Sequence, residues 1–252
     1  MNKELAIMNF SHIYEKQNFY KHTEAKWIDC SEIRGTNGYC DEIAYKDIEK
    51  IVKNYKPEGI HFIDSGNYHY ATEFWIDKIK EDFMLIVFDH HSDMTKPAFG
   101  SILSCGSWIM DELDKNIFLK KILIIGLSEE QKASIPEQYM DKLQCISEKE
   151  LIKINTWKKI INNDKKLPVY ISIDKDVLNE KVVSTTWDQG KMSFAELKNI
   201  LHIIIKNENI IGVDICGEDE GDKIQQLKNN DKVNTELLNF LLKEVKFHLL
   251  KE

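Results

Sequence analysis

Five short stretches of this chain are apolar almost without interruption: GIHFID (59–64), MLIVFD (84–89), KILIIGL (121–127), PVYISID (168–174) and IIGVDIC (210–216). A strand with one wet face alternates apolar and polar residues, so a continuous run predicts a strand covered on both faces. Between these runs lie segments with helical spacing and charged outer faces: YKDIEKIVKNY (45–55), ATEFWIDKIKED (71–82), SEKELIKINTWKKII (147–161), SFAELKNILHIIIKN (193–207) and NTELLNFLLKEVKFHLL (234–250). Strand and helix alternating at this rhythm predict an α/β fold, a mostly parallel sheet with helices on both faces. No linker rich in Pro, Gly or Ser divides residues 1–252, which read as one domain.

Ligands of such sheets collect at the carboxyl ends of the strands. Asp64, Asp89 with His91 and Asp93, Asp174 with Asp176, and Glu218 all stand at or just past the ends of these runs. His69 follows the first run, introduced by Gly66. In DHHSD (89–93), Asp89, His91 and Asp93 are spaced i, i+2, i+4, which puts them on one side if extended geometry persists past the strand. Carboxylates converging on one edge repel unless a cation lies between them, and burying them unpaired costs several kcal/mol each, on the order of a whole fold's margin. A divalent metal resolves the conflict. Oxygen-rich ligands with two imidazoles favour Mn²⁺, Fe²⁺, Zn²⁺ or Ni²⁺, and six ligands suit two ions better than one.

Composition narrows the partners. Net charge is −8 with both signs interleaved, so no face is predicted to attract a polyanion and nucleic acid is not an expected partner. Arg34 is the only arginine, which leaves almost no guanidinium for gripping phosphate. The five cysteines, Cys30, Cys40, Cys105, Cys145 and Cys216, are odd in number and contain no Cys-x-x-Cys pair, so neither a disulfide framework nor a zinc knuckle is indicated. The N-terminal apolar run of about six residues is too short for a signal peptide, and nothing approaches the roughly 20 apolar residues of a membrane helix. A cytoplasmic protein with no membrane partner is expected.

The three acid and imidazole motifs, taken in order, resemble the arginase and agmatinase superfamily of ureohydrolases: a His after one strand (His69), Asp-x-His-x-Asp after the next (89–93), and Ser-x-Asp-x-Asp after a later one (SIDKD, 172–176). TWDQGKMSFAE (186–196) and IIGLSEE (124–130) resemble two further stretches of the family, so the likeness runs from about residue 57 to the C-terminus. The resemblance implies a three-layer αβα sandwich with two Mn²⁺ ions at the carboxyl edge of its sheet. One ion would be held by His69, Asp89, Asp93 and Asp174, the other by Asp89, His91, Asp174 and Asp176, with Asp89 and Asp174 as bridges. It further implies a metal-bridging hydroxide that attacks a guanidino or amidino carbon, Glu218 as the anionic catalytic partner of a cationic substrate, Thr186 in the substrate pocket, and a possible homo-oligomer.

The chain departs from the family pattern at several places. Cys105 stands where many members carry a His that relays protons, and is open to reading as a substrate-pocket residue or as packing. Ser128 replaces an Arg, Trp187 replaces a Pro, and MTKPAFGSIL (94–103) lacks the Asn that grips the amino-acid end of arginine. Free arginine is therefore not the expected substrate; another guanidino compound or an arginyl peptide is. Two other readings stand beside this one: a deacetylase-like amide hydrolase with a single zinc, and a metal-binding relative without turnover. The N-terminal third has no counterpart in the family pattern. Its turn-formers Gly35, Asn37 and Gly38 suggest either a loop over the site or a surface excursion, and His12 either reaches the substrate or is structural.

Overall fold

The computed structural model describes residues 4–96, 100, 102–151 and 166–250. Eight strands form one parallel sheet: β1 (Leu5–Asn9), β2 (Ala25–Asp29), β4 (Ile60–Ile63), β5 (Phe83–Phe88), β7 (Leu119–Leu127), β8 (Leu143–Ser147), β9 (Val169–Asp174) and β10 (Ile210–Cys216), in the order β2-β1-β4-β10-β9-β5-β7-β8. Two short strands, β3 (Tyr39–Cys40) and β6 (Leu103–Ser104), pair antiparallel beside it. Every residue of β5, β9 and β10 is buried, as the continuous apolar runs require.

Successive side chains of a strand enter opposite layers. Leu85 and Val87 pack with Ala44, Ile48 and Val52 of α1 (Glu42–Val52), Phe74 to Ile76 of α2 (Glu73–Ile76) and Ile109 of α3 (Trp108–Lys115). Met84, Ile86 and Phe88 pack on the other face. Their partners there include Leu197, Leu201 and Ile204 of α6 (Phe194–Asn207) and Leu237, Leu238 and Leu241 of α7 (Ile224–Glu244). Each such buried aliphatic side chain contributes about 1.5–3 kcal/mol. The result is the expected three-layer αβα sandwich. The short helices α4 (Glu129–Ala133) and α5 (Glu148–Leu151) flank β8 in sequence. Of the helix expected over 147–161, only this first turn lies within the described residues.

Three expectations change. The N-terminal third, read as having no counterpart, supplies two strands of the sheet; LAIMN forms β1, buried throughout, and β2 is an edge strand that exposes Lys26 and Trp27. The helix expected over 71–82 is instead a 3₁₀ segment, Gly66–Thr72, followed by the single-turn α2. Its supposed outer charge, Glu73, is buried, and the chain tightens after Ile76 through bonds from Lys78 N to Trp75 O and from Ile79 N to Ile76 O. Finally, α7 begins ten residues earlier than expected and stops at Glu244, short of 250. Where local chemistry is strong the boundaries hold: the Ser193–Glu196 capping box opens α6 on the expected residue.

Candidate metal centre

The sheet reverses its order of filling between β4 and β5, with the late strands β10 and β9 inserted between them. The carboxyl ends of these four strands therefore meet, and each delivers part of one cluster. The 3₁₀ segment after β4 presents His69, the turn after β5 carries Asp89 to Asp93, β9 ends at Asp174 with Asp176 in the next turn, and β10 ends at Cys216. The turn after β5 is not extended: Asp93 adopts φ 48°, a left-handed conformation that brings its carboxylate back toward His69.

His69 Nδ1 lies 2.9 Å from Asp93 Oδ2, 3.2 Å from Asp89 Oδ2 and 3.7 Å from Asp174 Oδ2. Its other nitrogen, Nε2, is 2.9 Å from Ser172 Oγ, which itself donates to Asp214 Oδ1 at 2.6 Å. With its proton committed to Asp214, Ser172 can only accept from His69, so Nε2 carries the hydrogen and Nδ1 faces three carboxylates. A neutral ring would aim a lone pair at anions. Either a proton or a metal ion must occupy that side.

His91 repeats the arrangement. Its Nδ1 is 2.8 Å from Asp176 Oδ2 and 3.6 Å from Asp89 Oδ1, while Nε2 is 2.9 Å from Asp188 Oδ1. A carboxylate behind each ring, through Ser172 in one case and directly in the other, is how metal-bound imidazoles are oriented. Asp89 serves both sides with different oxygens, Oδ2 toward His69 and Oδ1 toward His91. Asp174 stands on the His69 side; its Oδ1 accepts the backbone N–H of Asp176 at 2.9 Å.

Electrostatics agree with this donor set. Burial, then repulsion from Asp176 and Asp89, pushes the Asp174 carboxyl up to about 7, and burial with the Asp89 charge pushes Asp176 up to about 6. Against the opposing effect of burial, Cys216 with Asp89 and Asp93 draws the His69 imidazole well above the ordinary range, and Asp176 with Asp89 does the same for His91. Acids that resist ionising beside bases that hold their protons mark a place short of positive charge. The residues fit a pair of divalent ions: two imidazole nitrogens with free Nδ1 positions, four carboxylates, and one carboxylate spanning both.

The cluster floors a cavity of about 360 Å³ whose walls include Tyr39, Lys96, Ser104, Cys105, Gln131 and Trp187. The loop at Gly35 to Gly38 reaches this rim. Gly38 N donates to Asn67 O, Cys105 N donates to Gly38 O, and the β3–β6 pair holds the flap in place. Of the two readings of this loop, the one over the site is what the fold adopts. Lys175, between the two metal-facing acids, and Gly217, whose φ of 87° and close approach to Asp174 Oδ1 leave no room for a side chain, complete the edge.

Two expected pocket residues lie elsewhere. Glu218 is fully buried, paired with Lys175 Nζ, accepts from Gln17, Asn230 and Asn234, and does not line the cavity. Thr186 is exposed and bonds the Glu218 carbonyl, while its neighbour Trp187 lines the cavity. Cys105 does line the cavity, and burial pushes its thiol up to about 12. His12 is exposed and paired with Glu15. Sequence reasoning missed Asp188 and Ser172 as partners of the imidazoles, although Ser172 opens the SIDKD motif and Asp188 sits within the quoted 186–196 stretch.

The arginase family model matches residues 5–217. An uncharacterized protein of Thermotoga maritima is 32% identical over 241 residues, covering 95% of this chain and 90% of that protein. Among solved structures, proclavaminate amidino hydrolase from Streptomyces clavuligerus superposes with a TM-score of 0.72 at 13% identity, over 96% of this chain and 91% of that one. Formimidoylglutamase from Bacillus subtilis gives 0.70 at 16% identity, over 98% and 89%. The match begins at β1 and so takes in the N-terminal strands that the sequence motifs alone left unplaced: the chain belongs to the arginase family.

Proposed function

We propose that this chain is a two-ion hydrolase of the ureohydrolase type that cleaves a C–N bond of a guanidino or amidino compound. The observation that carries it is the division of Asp89, whose two oxygens face His69 and His91 separately and so offer a shared ligand to two ions. A single-ion amide hydrolase, served by His91 between Asp89 and Asp176, would have no use for the second imidazole, His69, held against Asp89, Asp93 and Asp174. When bound, such ions supply Lewis acidity and a water of lowered pKa at neutral pH. Manganese suits the oxygen-rich donors.

The chain's own residues then hold and screen the substrate. His69 and His91 are fixed in ring orientation by Ser172 and Asp188, so their Nδ1 atoms stay aimed inward. Tyr39 and Trp187 give the rim flat aromatic surfaces suited to a planar delocalised cation, a role the family leaves to a carboxylate that is turned inward here. Cys105 forms a small polar wall of the cavity.

The test is metal content per chain together with release of urea or ammonia from a panel of guanidino and amidino compounds, arginyl peptides included. Two ions per chain and turnover of at least one panel member are expected, with both lost in Asp89→Ala. Two ions retained by that variant, or turnover that ignores it, would overturn the reading.

A further inference from the structure

The His69 side of the cluster holds a donor outside the set of four carboxylates and two imidazoles. Cys216 ends β10 directly opposite Asp174 in the β9–β10 register, so both side chains leave the same face of the sheet. Its Sγ lies 3.1 Å from Asp174 Oδ2, which is 3.7 Å from His69 Nδ1, and the three ligand atoms all fall within 4.8 Å of one another. Bonds of about 2.0–2.1 Å to nitrogen or oxygen and about 2.3 Å to sulfur, opened at tetrahedral angles, separate neighbouring donors by roughly 3.3–3.7 Å. The observed spacings bracket that range, and the thiol is fully buried at the cluster.

We propose that Cys216 is a metal ligand, and that its thiolate makes the His69 position one for a thiophilic divalent ion such as Zn²⁺ or Co²⁺, while the His91 position remains bound by oxygen and nitrogen. This rests on the two-ion reading above. As the ion enters, the thiol proton leaves to solvent and the S–metal bond forms; no electron is transferred. The two positions then differ in chemistry: His91, Asp176 and Asp89 offer one nitrogen with carboxylate oxygens, whereas Cys216 adds sulfur to His69 and Asp174.

Loading the full chain with Co²⁺ tests this, because thiolate-bound Co²⁺ absorbs strongly in the near ultraviolet by sulfur-to-metal charge transfer and oxygen- or nitrogen-bound Co²⁺ does not. The band is expected in the unaltered protein and in Cys105→Ser, whose thiol also lines the cavity, and is expected to vanish in Cys216→Ser. In competition, Cys216→Ser should lower the Zn²⁺ to Mn²⁺ affinity ratio by at least about tenfold. Should the serine variant fail to fold, X-ray absorption of the Zn²⁺-loaded unaltered protein decides, with sulfur at about 2.3 Å expected. Two bound ions with no charge-transfer band, or with scattering from nitrogen and oxygen alone, would overturn the assignment of Cys216 and leave the two-ion reading standing. A chain that binds no ion at all would overturn both.

Discussion

At the scale of single residues, the two imidazoles of the cluster are oriented by groups outside the six proposed ligands. Each imidazole has its Nε2 proton taken by an acceptor, so that Nδ1 is the free donor. Ser172 does this for His69 from inside the sheet. Asp188 does it for His91 from an exposed turn and is accordingly easy to replace without disturbing the core. The His91 imidazole in return holds the Asp188 carboxyl below its usual range. Asp188→Asn removes the charge and keeps the shape. It is expected to weaken binding at the His91 position by about 10–100-fold while leaving the His69 position unchanged, read by titrating metal into the stripped protein. Equal losses at both positions, or none, would show that Asp188 does not orient His91.

At the scale of elements, the turns that leave β9 and β10 are joined by a buried ion pair. Lys175 and Glu218 are both fully buried, and Gln17, Asn230 and Asn234 bring the N-terminal segment and α7 to the same carboxylate. Removing one member of such a pair leaves an uncompensated charge, so Lys175→Met should cost about 3–5 kcal/mol in urea unfolding. Adding Glu218→Leu to it should recover much of that loss, whereas a substrate-binding role for Glu218 would show as a KM defect in Glu218→Gln. This inward turn was not legible in the sequence, where an acid just after a late strand looks the same whether it faces solvent or a buried lysine. The strands β4, β5, β7, β9 and β10 were legible because doubly covered strands must be apolar throughout. So was the meeting of His69, Asp89, His91, Asp93, Asp174 and Asp176 at one edge, because strand ends in a parallel sheet converge. The 3₁₀ segment carrying His69 was not, nor was the early end of the helix expected over 71–82, which buried Glu73 and the tightened bonds after Ile76 stop at one turn.

At the scale of the whole molecule, the two helical layers are built differently, and the difference has a consequence for pH. One layer, α6 and α7, packs on the sheet through leucine and isoleucine. In the other, the residues joining α1, α2 and α3 include an acidic cluster: buried Glu73 and Glu112 face Lys115, with half-buried Asp77, approached by Tyr45 Oη, beside them. Asn116 donates to Glu112, and one oxygen each of Glu73 and Glu112 has no hydrogen-bond partner. Burial pushes Glu73 up to about 7 despite Lys115, and burial with repulsion from Asp77 and Glu73 pushes Glu112 up to about 8. An acid with a raised pKa in the fold binds its proton more tightly there than in the unfolded chain. Its contribution to stability is therefore complete below the unfolded value of 4.5 and is lost as pH rises through about 7 to 8. Glu112→Gln supplies the uncharged form permanently. Thermal melting of the metal-loaded protein and of this variant should then agree at the acid end and diverge as the pH is raised to 8, with the variant the more stable. Parallel melting curves across that window would mean that Glu112 ionises in the fold as it does in water, and that this helical layer is held without its proton.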